Sequence, residues 1–105
     1  MRASVDSVSR VNEREVAVIG WLADPENGDG TPLKVVVFVG GSVAGSTDTK
    51  GERPDVTQAV GLGSGSEKNV AFQLQFVCRP ADQAVAIGLG PRRQYLPLPM
   101  NPCPP

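Results

Sequence analysis

The sequence predicts an all-β domain: an antiparallel β-sandwich of about seven short strands with one short helical insertion. Three observations predict it. Valine is the dominant large apolar residue, and its stiff χ1 suits a pleated, half-buried surface better than a helix. Glycine (12) and proline (10) are frequent and fall between the apolar runs, where they punctuate turns. The runs are short and recur at roughly 10–15 residue intervals, the spacing of a sandwich or barrel. At 105 residues the chain is one domain. It is long enough to bury roughly two-thirds of its unfolded surface around one modest core.

Residues 4–11 open the chain as a weak strand. Val5, Val8 and Val11 recur every three residues, a period that fits neither a flat strand nor a helix and requires a bend or bulge. Asn12 and Glu13 turn the chain into 15–23, the first strong strand. Val16, Val18 and Leu22 lie on one face with Gly20 between them; Ala17, Ile19, Trp21 and Ala23 lie on the other. Both faces are apolar, which predicts a central strand covered on both sides, or partly covered by a loop or helix. Residues 24–32 concentrate the turn dipeptides Asp24-Pro25, Asn27-Gly28, Asp29-Gly30 and Thr31-Pro32, and read as an exposed loop. Residues 33–39 form the second strong strand. Gly40-Gly41 supplies the positive φ angles of a two-residue hairpin. Residues 42–47 return as a shorter, less apolar partner near an edge.

Residues 48–53 read as loop. Pro54 to Val60 is the one helical candidate. Pro54 at the first position, Asp55 in the first turn and Gly61 just past the end follow helix start and stop rules. Val56 and Val60, four apart, share a face. Residues 61–69 are loop again. In 70–77, Val70, Phe72, Leu74 and Phe76 point inward and Gln73 and Gln75 outward, the alternation of a half-exposed antiparallel strand. Cys78 to Asp82 turns the chain into the strand 83–89, which ends at Gly90-Pro91. Residues 94–98 are a last short strand, placed at an edge by Pro97. The domain thus spans 1–98, and 99–105 form a proline-rich tail that reads as extended or disordered. Trp21, Phe38 and Phe72 are expected to share one interior. Seven strands and one short helix suit an immunoglobulin-like sandwich in architecture, without the Cys, Trp and Cys pattern of variable domains.

Four strings stand in order: Ile19-Gly20-Trp21-Leu22-Ala23-Asp24, Val35-Val36-Val37-Phe38-Val39-Gly40-Gly41, Val43-Ala44-Gly45 and Arg53-Pro54-Asp55-Val56. Together they resemble a family of bacterial Ig-like accessory domains, whose pattern is a Gly-Trp-small-x-Asp strand, a Val-rich strand ending in a hairpin, and an Arg-Pro-Asp-Val segment. The resemblance covers residues 4–89. It implies a β-sandwich without catalysis of its own, appended to a larger extracytoplasmic or cell-envelope protein. Two positions depart from the family pattern. Its Asp-Gly hairpin is Gly40-Gly41 here, and the Gly-Phe common after the helical segment is Ala71-Phe72.

Charge and composition narrow the function. Ten basic and eleven acidic side chains give a net charge of -1, which argues against electrostatic binding to nucleic acid or anionic lipid. No apolar run approaches the roughly 20 residues of a membrane span, and no signal-peptide pattern stands at the N-terminus. Histidine is absent, which removes His-based triads, most zinc sites and the usual proton shuttle near neutral pH. Lys34, Lys50 and Lys68 form no Ser-Lys pattern, so no catalytic, cofactor or metal site is expected.

The remaining constellations each have a plain reading beside a sharper one. Arg53 and Asp55 form either a capped helix start or a ligand-contact corner, and capping explains the spacing. Cys78 and Cys103 are the only cysteines. In a cytosolic chain they would be two free thiols; in an exported protein they form one disulfide, the favoured reading, closing a loop of about 25 residues and contributing roughly 3–4 kcal/mol. Trp21 and Tyr95, the sole Trp and Tyr, are the aromatics that could stack on a sugar ring, although Trp21 in an apolar strand reads as core. Asp24, Glu26, Asn27 and Asp29 crowd one loop but lack EF-hand spacing and read as a solvated turn. Gly61 to Gly65 lacks the lysine of a phosphate loop, and the PxxP spacing in the tail implies no partner. The sequence therefore reads as a non-catalytic accessory or interaction module of an exported bacterial protein, periplasmic or secreted. It would bind a protein or cell-envelope partner, or associate with itself through the 42–47 or 94–98 edge. The alternative is a carbohydrate- or cell-wall-binding module.

Overall fold

A computed structural model describes residues 2–24, 31–51, 69–90, 94–98, 100 and 102–105. Seven strands run in the order β1 (Arg2–Arg10), β2 (Glu15–Ala23), β3 (Lys34–Val39), β4 (Ser42–Asp48), β5 (Ala71–Val77), β6 (Ala84–Leu89) and β7 (Tyr95–Leu98). They form two antiparallel sheets, one ordered β1-β2-β5 and the other β4-β3-β6-β7. The fold is an all-β sandwich. No helix occurs among the described residues, and the segment 54–60 lies outside them.

The odd valine period of β1 has a structural cause. Val5 pairs with Gly20 and Ser7 with Ile19, so Asp6 is an extra residue in a β-bulge. The bulge resets the alternation and returns Val8 to the inward face that Val5 occupies, and both pack against the core. Gly20 stands across from this bulge. A Cβ built there would meet the Ser4 carbonyl oxygen and lie 2.9 Å from the Phe72 ring, so the close approach of β1 to β2 requires glycine at this point.

The interior is mostly valine. Val16, Val18 and Leu22 of β2 face Val35 and Val37 of β3, with Phe72 and Phe76 of β5 and Leu98 of β7 closing the layer. Strand β6 presents Ala84, Ala86 and Gly88 to this interior. A Cβ on Gly88 would lie 2.8 Å from a Leu22 methyl, so the small residues of β6 make room for the bulk of β2.

Strand parity overturns the expectation that three aromatics share the core. Val16, Val18 and Leu22 point inward, which turns Trp21 out onto the far face of the three-stranded sheet. There it is half-buried against Ala23 and Val70 in a small separate cluster. Likewise Val35 and Val37 point inward and Phe38 therefore points out. Phe72 alone of the three lies in the interior. Val70, expected inward with Phe72, precedes β5, where its carbonyl accepts from Leu22 N–H at 2.9 Å and its side chain joins the Trp21 cluster.

The two ends of the sandwich differ. At one end the turns are short and bonded to one another. Gly40 and Gly41 (φ 59° and 84°) make the β3–β4 hairpin. Asn12 Oδ1 accepts from the backbone of Arg14 and Glu15. Cys78 N–H donates to Arg14 O, Ala81 N–H to Cys103 O, and Cys103 N–H to Asp82 O. The Cys78–Cys103 disulfide lies here, with both cysteines buried. The Arg10 guanidinium donates twice to Pro104 O, at 2.8 and 3.0 Å. The described part of the tail is thus docked on the sandwich, and Met100 packs against the core.

At the other end the chain leaves and re-enters the described residues at Asp24 and Thr31, at Gly51 and Asn69, and at Gly90 and Gln94. Backbone and side-chain bonds tie that end together, Val70 and Ala71 N–H both donating to Gly51 O. Thr49 N–H donates to Leu33 O and Leu33 N–H to the buried Thr49 Oγ1, at 2.7 and 2.8 Å, and Lys50 N–H donates to Ala71 O across to the other sheet.

Candidate functional site

The outer faces of the two sheets have opposite character. On the three-stranded sheet the central row of Ala17, Ile19 and Trp21 is flanked by Ser4, Ser7 and Ser9 of β1 and by Gln73 and Gln75 of β5. That is the hydroxyl and amide fringe of a solvated face. On the four-stranded sheet that fringe is reduced to Ser46 beside Val36 and Gln83 beside Phe38 and Val85. Because β6 turns its small residues inward, Val85, Ile87 and Leu89 point out, beside Val36 and Phe38 of β3. Val43 on β4 (63% exposed) pairs with Phe38 at one margin. Tyr95 on β7 (69% exposed) pairs with Leu89 at the other. Among the described residues, the charged groups on these rows are Lys34 and Asp48, an ion pair with Nζ 3.3 Å from Oδ1. The face is thus apolar throughout its centre, half-buried at Val36, Phe38 and Ile87 and exposed at Val43, Val85, Leu89 and Tyr95, the character of an interaction surface.

Among the described residues, further concavities flank the sandwich. One lies between the sheets at the β4/β5 side, lined by Ile19, Thr47, Asp48, Lys50, Phe72 and Gln73. Another lies at the β1 bulge under the tail, lined by Asp6, Ser7, Val8, Met100, Pro102 and Pro104. Neither gathers a set of nucleophile, base and orienting group. No cluster of three or more His, Cys, Asp or Glu side chains occurs among the described residues.

The expected site residues scatter. Trp21 and Tyr95 stand on the outer faces of different sheets, so they cannot form one sugar-stacking platform. Arg53 and Asp55, and Glu26, Asn27 and Asp29 of the acidic loop, lie outside the described residues; Asp24 is buried at the end of β2. Cys78 and Cys103 are bonded, with Cα atoms 6.3 Å apart. No helix among the described residues is long and apolar enough to cross a membrane. The outer face of the four-stranded sheet was not among the expected sites. Its signal was present in Ala84-Val85-Ala86-Ile87-Gly88-Leu89, where the larger side chain is always the odd-numbered one. Only the packing of Gly88 under Leu22 tells which parity is inside. No protein-family model, curated protein or solved structure matches the chain.

Proposed function

We propose that the chain is a non-catalytic, immunoglobulin-like accessory and interaction module of an exported bacterial protein, working in the periplasm or outside the cell. The observation that carries this reading is the apolar outer face of the four-stranded sheet, with Val36, Phe38, Val85, Ile87 and Leu89 where solvated side chains would otherwise stand. Burying such a face is worth about 25 cal/mol per Å² of apolar surface, a driving force for a protein partner. The buried disulfide supports an oxidising compartment. The strand order supports the immunoglobulin-like assignment: β1-β2-β5 corresponds to strands A, B and E, and β4-β3-β6-β7 to strands C′, C, F and G. The resemblance of residues 4–89 to bacterial accessory domains points the same way. A carbohydrate-binding module remains the alternative, with Tyr95 as its most exposed stacking ring.

The test is capture from periplasmic and envelope extracts on the immobilised chain and on an Ile87→Lys variant. The reading expects a protein retained by the native chain, lost on the variant, and rebound when purified. Glycan binding abolished by Tyr95→Ala, with no protein retained, would replace it by the carbohydrate reading.

A further inference from the structure

We propose that the partner of this face is a second copy of the chain, docked face to face across a two-fold axis that runs parallel to the strands between β3 and β6. The inference rests on the interaction reading above and names the occupant. The order β4-β3-β6-β7 puts β3 and β6 at the centre of the face. A two-fold at the middle of that order lays β3 over β6 of the second copy and β4 over its β7, each residue keeping its height along the strand. Val36 and Ile87 are register partners, as are Phe38 and Val85. The axis therefore sets Val36 on Ile87 of the second copy and Phe38 on its Val85, so the centre of the interface is aliphatic and aromatic. Each contact occurs twice, as an isologous interface requires.

The charged row decides between axes. Across the sheet it reads Asp48, Lys34, Leu89, Tyr95, and the proposed axis lays it on its own reverse. The Tyr95 phenol of one copy then donates to the Asp48 carboxylate of the other, a charge-assisted bond. The Lys34 stem covers Leu89 of the second copy while its ammonium keeps Asp48 at 3.3 Å. Among the described residues of these rows, no like charges are opposed. An axis perpendicular to the strands would instead lay this row over Val43 and Phe38 at the hairpin end, stranding both charges on apolar surface.

The size of the face sets the strength. Four strands about 4.8 Å apart and about six residues long at roughly 3.4 Å each make a footprint of about 400 Å². That is about half the roughly 800 Å² per partner of a standard stable interface. The pairing is therefore reversible, with a dissociation constant of about 10 µM to 1 mM.

Sedimentation equilibrium of the oxidised chain from about 1 µM to about 3 mM brackets that range. The average mass should rise from 11.0 kDa toward twice that value. Ile87→Lys sets an ammonium beside the axis in each copy and should hold the mass at the monomer value throughout. Tyr95→Glu, at a side chain too exposed to disturb folding, sets a carboxylate against Asp48 of the second copy. It should weaken the dimer by at least about ten-fold. A native chain that stays monomeric over the whole range overturns the proposal, as does a Tyr95→Glu chain that dimerises like the native one. If the chain is monomeric but a different protein is captured through Ile87, the second copy is excluded and the interaction reading stands. If nothing is captured either, both fall.

Discussion

Replacing Cys78 and Cys103 together by alanine opens a closed loop of 25 residues. In the chain-entropy treatment a loop of that length returns about 3.5 kcal/mol of freedom to the unfolded chain. Both cysteines are buried, at 1% and 3% exposure, so the two lost sulfur atoms add up to about 1 kcal/mol of vacated packing. The remaining ties of the tail are Cys103 N–H to Asp82 O, Ala81 N–H to Cys103 O, and Arg10 to Pro104 O. They survive in the folded state but do nothing to restrict the unfolded one, so they do not offset the loss. With an unfolding entropy of about 2.1 cal/mol/K per residue, a loss of 3.5–4.5 kcal/mol lowers the Tm of a chain this long by about 15–20 °C. Thermal melts followed by far-UV circular dichroism measure it in three samples: oxidised native chain, native chain in reductant, and the double variant. A fall of less than about 5 °C in the double variant would refute the reasoning. It would mean that the unfolded tail is already confined, or that the tail contributes nothing to the fold it sits on.

Four further substitutions probe separate parts of the fold. Gly20→Ala drives a methyl into the Ser4 carbonyl and the Phe72 ring and should cost about 3 kcal/mol in urea unfolding. Gly88→Ala meets only the movable end of Leu22 and should cost about half as much; equal costs would show that the β1 bulge is not the constraint. Thr49→Val strands the Leu33 amide, which the Thr49 hydroxyl accepts from at 2.8 Å. We expect a loss of about 2 kcal/mol, faster exchange of the Leu33 amide proton, and recovery with Thr49→Ser. Gly41→Ala faces open space at φ +84°, so its cost of about 1–2 kcal/mol is purely conformational, and Gly41→Asn should recover part of it.

Local chemistry was legible in the sequence and depth was not. The strand 15–23, the Gly40-Gly41 hairpin and the edge strand carrying Pro97 follow from alternation and turn residues alone, and β2, β3–β4 and β7 stand where those signals place them. The three-residue valine period of β1 was a readable sign of the bulge at Asp6. What failed was the choice of face where both faces are apolar. In Val16 to Ala23 and Val35 to Val39 the two parities have similar hydropathy, so alternation identifies a strand without saying which side is inside. Packing between the sheets settled it. Gly88 of β6 lies against Leu22 of β2, so Leu22, Val16 and Val18 are inside and Trp21 is left on the far face. The same ambiguity concealed the outer face of β6. The pairing of Cys78 with Cys103 was legible because no other cysteine competes.

The disulfide also determines how the molecule would carry a mechanical load. Residue 2 begins β1 at one end of the sandwich, and Pro104 lies at the opposite end, beside Arg10. A pull between them enters at Cys103, crosses the sulfur bridge to Cys78, and reaches the end of β5 directly. Tension then runs through the β5–β2 and β2–β1 ladders in shear, so their rungs resist together instead of unzipping one at a time. The sheet that bears the apolar outer face stays off the force path and can keep its contacts while the other sheet is under strain.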